Sequence, residues 1–135
     1  MHGLHLTADL RGCAPHRSAM TEPQALRAAC IAAVLGAGLQ PVGELFHRFT
    51  PASGAPASAP VGITGVVLLA EAHLAVHTWP EIGAVTLDVF VCNLGADNSG
   101  RAQALMGALV ALFEPARVEQ HALQRGAAPA AEPVQ

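Results

Sequence analysis

Three apolar runs follow one another in the middle of the chain: ITGVVLLA at 63–70, HLAVHTW at 73–79 and AVTLDVFVC at 84–92. Val, Thr, Leu and aromatic side chains dominate them, residue types that suit a pleated, half-buried surface, and Pro80 and Gly83 punctuate them. They read as adjacent antiparallel strands. If AVTLDVFVC is regular, its period of two puts Thr86, Asp88, Phe90 and Cys92 on one face and Val85, Leu87, Val89 and Val91 on the other. Cys92 then lies on the more polar face, where a thiol is placed for chemistry rather than for packing.

Helical patterns flank this block. Thr21-Glu22-Pro23-Gln24 combines an N-cap hydroxyl, a proline near the first turn and a glutamine three residues after the cap. Leu26, Cys30, Ala33, Val34 and Ala37 then form one apolar stripe, which ends near Gly36 to Gly38. Asp97-Asn98-Ser99 offers caps for a second helix, with Leu105, Met106, Leu109, Leu112 and Phe113 at helical spacing up to Pro115.

Leu4 to Asp9 reads as an opening strand, Gly12 to Arg17 as a loop, and GLQPVGELFHRFT as a further strand. PASGAPASAP, residues 51–60, holds only Pro, Ala, Ser and Gly and reads as a flexible loop. A closing strand falls near Val118 to Leu123. The order β-α-β-β-β-β-α-β predicts an α+β fold, a two-layer α/β sandwich with both helices on one face of a mainly antiparallel sheet. One domain covers residues 1–126, and residues 127–135 form a tail expected to be disordered.

With 52% hydrophobic and 13% charged residues over 135 positions, the chain buries a core. So small and apolar a domain predicts burial against a second copy, a homo-oligomer. The net charge of −3, with no Lys or Arg cluster, argues against nucleic acid as a partner. MHGLHLTADL lacks the basic start and apolar core of a leader, and no run reaches the ~20 apolar residues of a membrane span, so a cytoplasmic protein is expected. Three cysteines without close pairing fit reduced thiols. Glycine patterns for dinucleotides or phosphates are absent.

LLAEAHLAVHTWPE, residues 68–81, concentrates polar side chains in an otherwise apolar stretch. His73, His77, Glu81 and Cys92 are all competent zinc ligands, but on a strand rising ~3.3 Å per residue His73 and His77 lie ~13 Å apart, too far to chelate one ion. Taken singly, the histidines also read as half-buried strand residues, Cys92 as a small hydrophobe and Trp79 as core.

Taken together, FHRF, ITGVV, EAHLAVHTWPEIG and LDVFVC, in this order and spacing, resemble the prokaryotic S-adenosylmethionine decarboxylase proenzymes from about His5 to Gly126. The resemblance implies a two-layer sandwich that dimerises and makes decarboxylated S-adenosylmethionine for spermidine synthesis. Decarboxylating an α-amino acid requires an electron sink. In the resembled family the sink is a pyruvoyl group, made when a serine after a glutamate attacks the preceding carbonyl and the chain cleaves there.

Position by position, the resemblance makes Glu71 the cleavage-site residue and Ala72 the occupant of the pyruvoyl-forming serine position. It makes His77 the processing base, assisted by Thr64, and Cys92 the proton donor after CO2 leaves. Phe49 and Glu81 become substrate-binding residues, for adenine and for the ribose hydroxyls.

Alanine has no hydroxyl, so the pyruvoyl group is not expected here and the chain is expected to stay uncleaved and inactive. Two histories fit: a substitution that traps the precursor, or a non-catalytic homologue that binds nucleosides or regulates a partner. A relative acting on ornithine or arginine is a further alternative. The loop at 51–60 is longer than the resembled family's connection.

Overall fold

Residues 1–126 are described in a computed structural model; the tail at 127–135 lies outside the described residues. The elements run β1 (Gly3–Arg11), α1 (Ser18–Thr21), α2 (Pro23–Gly36), β2 (Pro41–Arg48), β3 (Ile63–Leu69), β4 (Ala72–Trp79), β5 (Ala84–Cys92), α3 (Ser99–Phe113) and β6 (Arg117–Arg125). All six strands join one sheet in the order β2-β3-β4-β5-β1-β6, and every pairing is antiparallel. The predicted α+β sandwich is the fold observed.

Alternation explains which face is covered. Leu4, Leu6, Ala8 and Leu10 of β1, Leu74 and Val76 of β4, and Val85, Leu87, Val89 and Val91 of β5 are buried on one side. They meet Leu26, Cys30 and Val34 of α2 and Leu105, Met106, Leu109 and Phe113 of α3 in a single core. Each fully buried side chain of this size contributes about 1.5–3 kcal/mol, so this layer holds the fold. The intervening residues, including His5, Asp88, Phe90, Cys92, Thr64, His73 and His77, stand on the other face, which no helix covers. We call it the open face.

The start of the first long helix differs from expectation. Thr21 does not cap α2; it ends the separate turn α1, whose Met20 is fully buried. Thr78 explains the extra turn, because its buried hydroxyl donates to Met20 O at 2.7 Å and ties α1 to the sheet. Glu22 precedes Pro23 at the start of α2 without a side-chain cap, and proline there wastes no amide. At α3, which begins within the expected capping stretch, Asn98 is the N-cap without a side-chain bond, and Asp97 Oδ1 accepts from Ser99 N at 2.9 Å just before it. Hydrogen bonds from Ser99 hold the Asp97 carboxyl below its usual range.

β6 is longer than the predicted strand and exposed along its whole length. Its residues pair with β1 from Gly3↔Arg125 to Arg11↔Arg117, so backbone bonds rather than burial define it. Among the described residues no helix is long and apolar enough to cross a membrane.

Candidate active site

The open face carries two groups of polar and aromatic side chains, one at each end of β4. The first forms where β3 begins and β4 ends. Thr64 lies directly opposite His77 in the β3–β4 ladder, and its Oγ1 is 3.2 Å from His77 Nδ1. The His77 ring stacks on Trp79, centroids 5.7 Å apart and planes 21° from parallel. A hydrogen bond on one ring nitrogen and an indole on one ring face fix the imidazole's orientation, and among the described residues no hydrogen bond falls on Nε2.

Phe49, just past β2, extends the β2–β3 pairing by donating its N–H to Gly62 O at 2.8 Å. Its ring meets Trp79 at 6.3 Å. Glu81 sits on the single 3-10 turn Pro80–Ile82 that joins β4 to β5. Phe49 and Glu81 line the same cleft of about 350 Å³, large enough for part of a small ligand. Trp79, one of whose readings was core, is half-buried on the open face and serves as the wall between His77 and Phe49.

The second group surrounds the other end of β4. Ala70 and Glu71 turn the chain between β3 and β4, and Glu71 adopts φ 56°, a left-handed conformation that costs a non-glycine residue about 1–2 kcal/mol. Ala72 follows, and its methyl packs against the core from the helix side. On the open face, Cys92 pairs with Gly3 and is half-buried. A Cβ on Gly3 would come within 2.7 Å of the Phe90 ring, so glycine there lets Phe90 lie flat beside Cys92. His73 stacks on Phe90 at 5.7 Å.

Sequence reasoning missed a dyad in this group. His5 Nε2 is 3.1 Å from Asp88 Oδ1, and His5 meets the Phe90 edge at 6.3 Å. Arg125 Nη1 approaches His5 Nδ1 at 3.4 Å. Arginine only donates, so His5 Nδ1 is the acceptor and its proton lies on Nε2 toward Asp88. The alternation of β5 put Asp88 on the open face in advance, but nothing local paired β1 with β5.

The sequence-predicted residues therefore separate within one chain. Thr64, His77, Phe49 and Glu81 come together at one end; at the other, Glu71 and Ala72 open β4 near the last residues of β5, with Ala72 turned to the helix side and Cys92 on the open face. Five residues of strand, about 16 Å, divide Ala72 from His77.

The family model described as S-adenosylmethionine decarboxylase matches residues 4–126. The chain belongs to the S-adenosylmethionine decarboxylase family. An S-adenosylmethionine decarboxylase proenzyme of Persephonella marina is 34% identical over 127 residues, 94% of this chain and 84% of the relative. That of Archaeoglobus fulgidus is 32% identical over 124 residues, 92% of this chain and 97% of the relative. The crystal structure of the adenosylmethionine decarboxylase from Aquifex aeolicus superimposes with a TM-score of 0.79 at 32% identity, covering 98% of this chain and 97% of that one.

Proposed function

We propose that this chain is an S-adenosylmethionine decarboxylase proenzyme of spermidine biosynthesis held in its uncleaved form by Ala72. The observation that carries the reading is the hydrogen-bonded Thr64–His77 pair beside the Phe49–Glu81 cleft, kept in a chain of this family. Residue 72, where the pyruvoyl group would arise, offers only a methyl. It does not fit that group: with no hydroxyl, attack on the Glu71 carbonyl cannot begin.

The remaining residues have separable tasks. The Phe49 ring face suits adenine and the sulfonium cation, and the Glu81 carboxylate accepts from two ribose hydroxyls. His77 Nε2, oriented by Thr64 and Trp79, is the base for self-processing. Cys92 supplies a proton where the carboxyl group departs.

A homodimer follows from the 16 Å separation. A two-fold axis that stacks two open faces with their β4 strands antiparallel lays the Ala72–Cys92 end of one protomer over the His77–Phe49 end of its partner. Each complete site then takes one half from each protomer, and the exposed leucines of the open face become its seal. A cytoplasmic location fits the three thiols.

The test is Ala72→Ser. The unsubstituted chain is expected to run as a single 13.8 kDa species, and the serine variant to split after Glu71 and release CO2 from S-adenosylmethionine. A serine variant that stays whole and inert overturns the assignment.

A further inference from the structure

The Phe49–Glu81 cleft has a second wall, built by the connection from β2 to β3. We infer that the loop at 51–60 is a specificity element of this cleft, its proline rings and alanine methyls closing over the flat base of an unphosphorylated nucleoside against Phe49. The inference rests on the functional reading above and names what selects the ligand.

Pro51, Ala52, Ala55, Ala59 and Pro60 line the cleft together with Phe49 and Glu81. The loop's base is fixed. Phe49 N bonds Gly62 O at 2.8 Å, and Gly62 lies so close to β4 that a Cβ there would fall 1.8 Å from Thr78 O. Only glycine allows that approach, and it sets where the loop leaves the sheet. Within the loop, Ala55 N bonds Ala52 O and Ala59 N bonds Pro56 O, each at 3.0 Å. Gly54 at φ 84° supplies the left-handed step, and Pro51, Pro56 and Pro60 restrict the chain further. The wall is thus a pair of turns on a pinned base.

Its chemistry is selective. Among the described residues Glu81 is the one ionisable residue lining the cleft, and Arg48 lines the adjoining recess instead, so a phosphate in the cleft would meet a carboxylate first. Methyl groups and pyrrolidine rings opposite an aromatic ring favour a flat apolar base between them, with Glu81 left for hydroxyls or a sulfonium. On the loop's other side Ala57 and Ser58 border an adjoining recess with His16 and Arg48, which shares Pro51, Ala59, Pro60 and Val61 with the cleft, whereas Ala55 lines only the cleft and Ala57 only the recess. Ala55 and Ala57 therefore sit on opposite sides of one loop.

Equilibrium binding of S-adenosylmethionine and 5′-methylthioadenosine to the full chain tests this, with Ala55→Trp filling the cleft and Ala57→Trp altering only the far side. Ala55→Trp is expected to weaken both ligands about tenfold or more, and Ala57→Trp to stay within about twofold. Adenosine 5′-monophosphate is expected to bind more weakly than either. Phe49→Ala reports on the site itself. If Phe49→Ala weakens binding while Ala55→Trp leaves it unchanged, or if the two tryptophan variants weaken it equally, the loop's role is overturned and the site reading stands. If the unsubstituted chain binds neither nucleoside, both fall.

Discussion

Thr64 Oγ1 and His77 Nδ1 lie 3.2 Å apart across the β3–β4 ladder, on the face that no helix covers. A histidine used as a base must present one nitrogen, and a partner on the other nitrogen decides which. In the proposed function Thr64 is that partner, a positioning residue for His77. In the Ala72→Ser chain, Thr64→Val is expected to slow self-cleavage about 10–100-fold, within the range general-base assistance supplies. Valine keeps the β-branched shape, so the strand persists. Thr64→Ser is expected to restore the rate. A time course by intact mass checks both; a valine variant cleaving at the unsubstituted rate would refute the role.

Thr78 makes the opposite use of a hydroxyl, entirely inside the protein. Its Oγ1 donates to Met20 O at 2.7 Å and accepts from Ile63 N at 2.9 Å, joining α1, β3 and β4 at one buried atom. Thr78→Val leaves a buried carbonyl and a buried amide unpaired, each costing about 1–3 kcal/mol. Chemical denaturation is expected to show a loss of about 2–4 kcal/mol, with α1 exchanging its amide hydrogens first. A loss below 0.5 kcal/mol would mean that water replaces the hydroxyl without cost.

The sheet was legible because its core side alternates so regularly. Val85, Leu87, Val89 and Val91 against Thr86, Asp88, Phe90 and Cys92 fixed the face of β5 from sequence alone, and the burial follows that phase residue by residue. The start of α2 was not legible: Thr21 has a capping side chain, but a tertiary bond from Thr78 captured the preceding turn instead. β6 was underestimated because it buries nothing, and pairing through backbone leaves no hydrophobic signature. At the site, Thr64 and His77 met as neighbours on adjacent strands should. The His5–Asp88 dyad stayed hidden, because β1 reaches β5 from 83 residues away.

Cys30 gives the protein an alkaline limit. Its thiol is fully buried in the core face of α2, and burial pushes its pKa up from 9.0 to about 12. Below pH 9 both folded and unfolded chains keep the proton, and this group adds no pH dependence. Above pH 9 the unfolded chain loses it first, so stability falls by about 1 kcal/mol per unit until the folded thiol ionises near 12. Cys30→Ala is expected to be about 1 kcal/mol less stable at pH 7 but to show a shallower decline from pH 9 to 11. Part of the slope should remain, since burial also raises the Cys13 thiol against the opposing Arg17 charge. Equal slopes in denaturant melts of the two chains would contradict this.

The open face exposes two leucines. Leu45 is 69% exposed and Leu68 is 50% exposed, and both project from that face, Leu45 beside Val66 and Leu68 beside His73. In the proposed homodimer, stacking two such faces would bury these side chains and bring the two halves of the site within reach of each other. Sedimentation is expected to give twice the 13.8 kDa chain mass. The double variant Leu45→Asp, Leu68→Asp removes the two leucines that each protomer would bury in the proposed dimer and inserts carboxylates in their place. It is expected to raise the dissociation constant at least about 100-fold, given about 1.5–3 kcal/mol for each buried leucine. Added to the Ala72→Ser chain, the same pair of changes should abolish self-cleavage, because His77 and residue 72 of a single protomer stay about 16 Å apart along β4. A monomeric double variant that still cleaves itself would show that one chain completes the site alone.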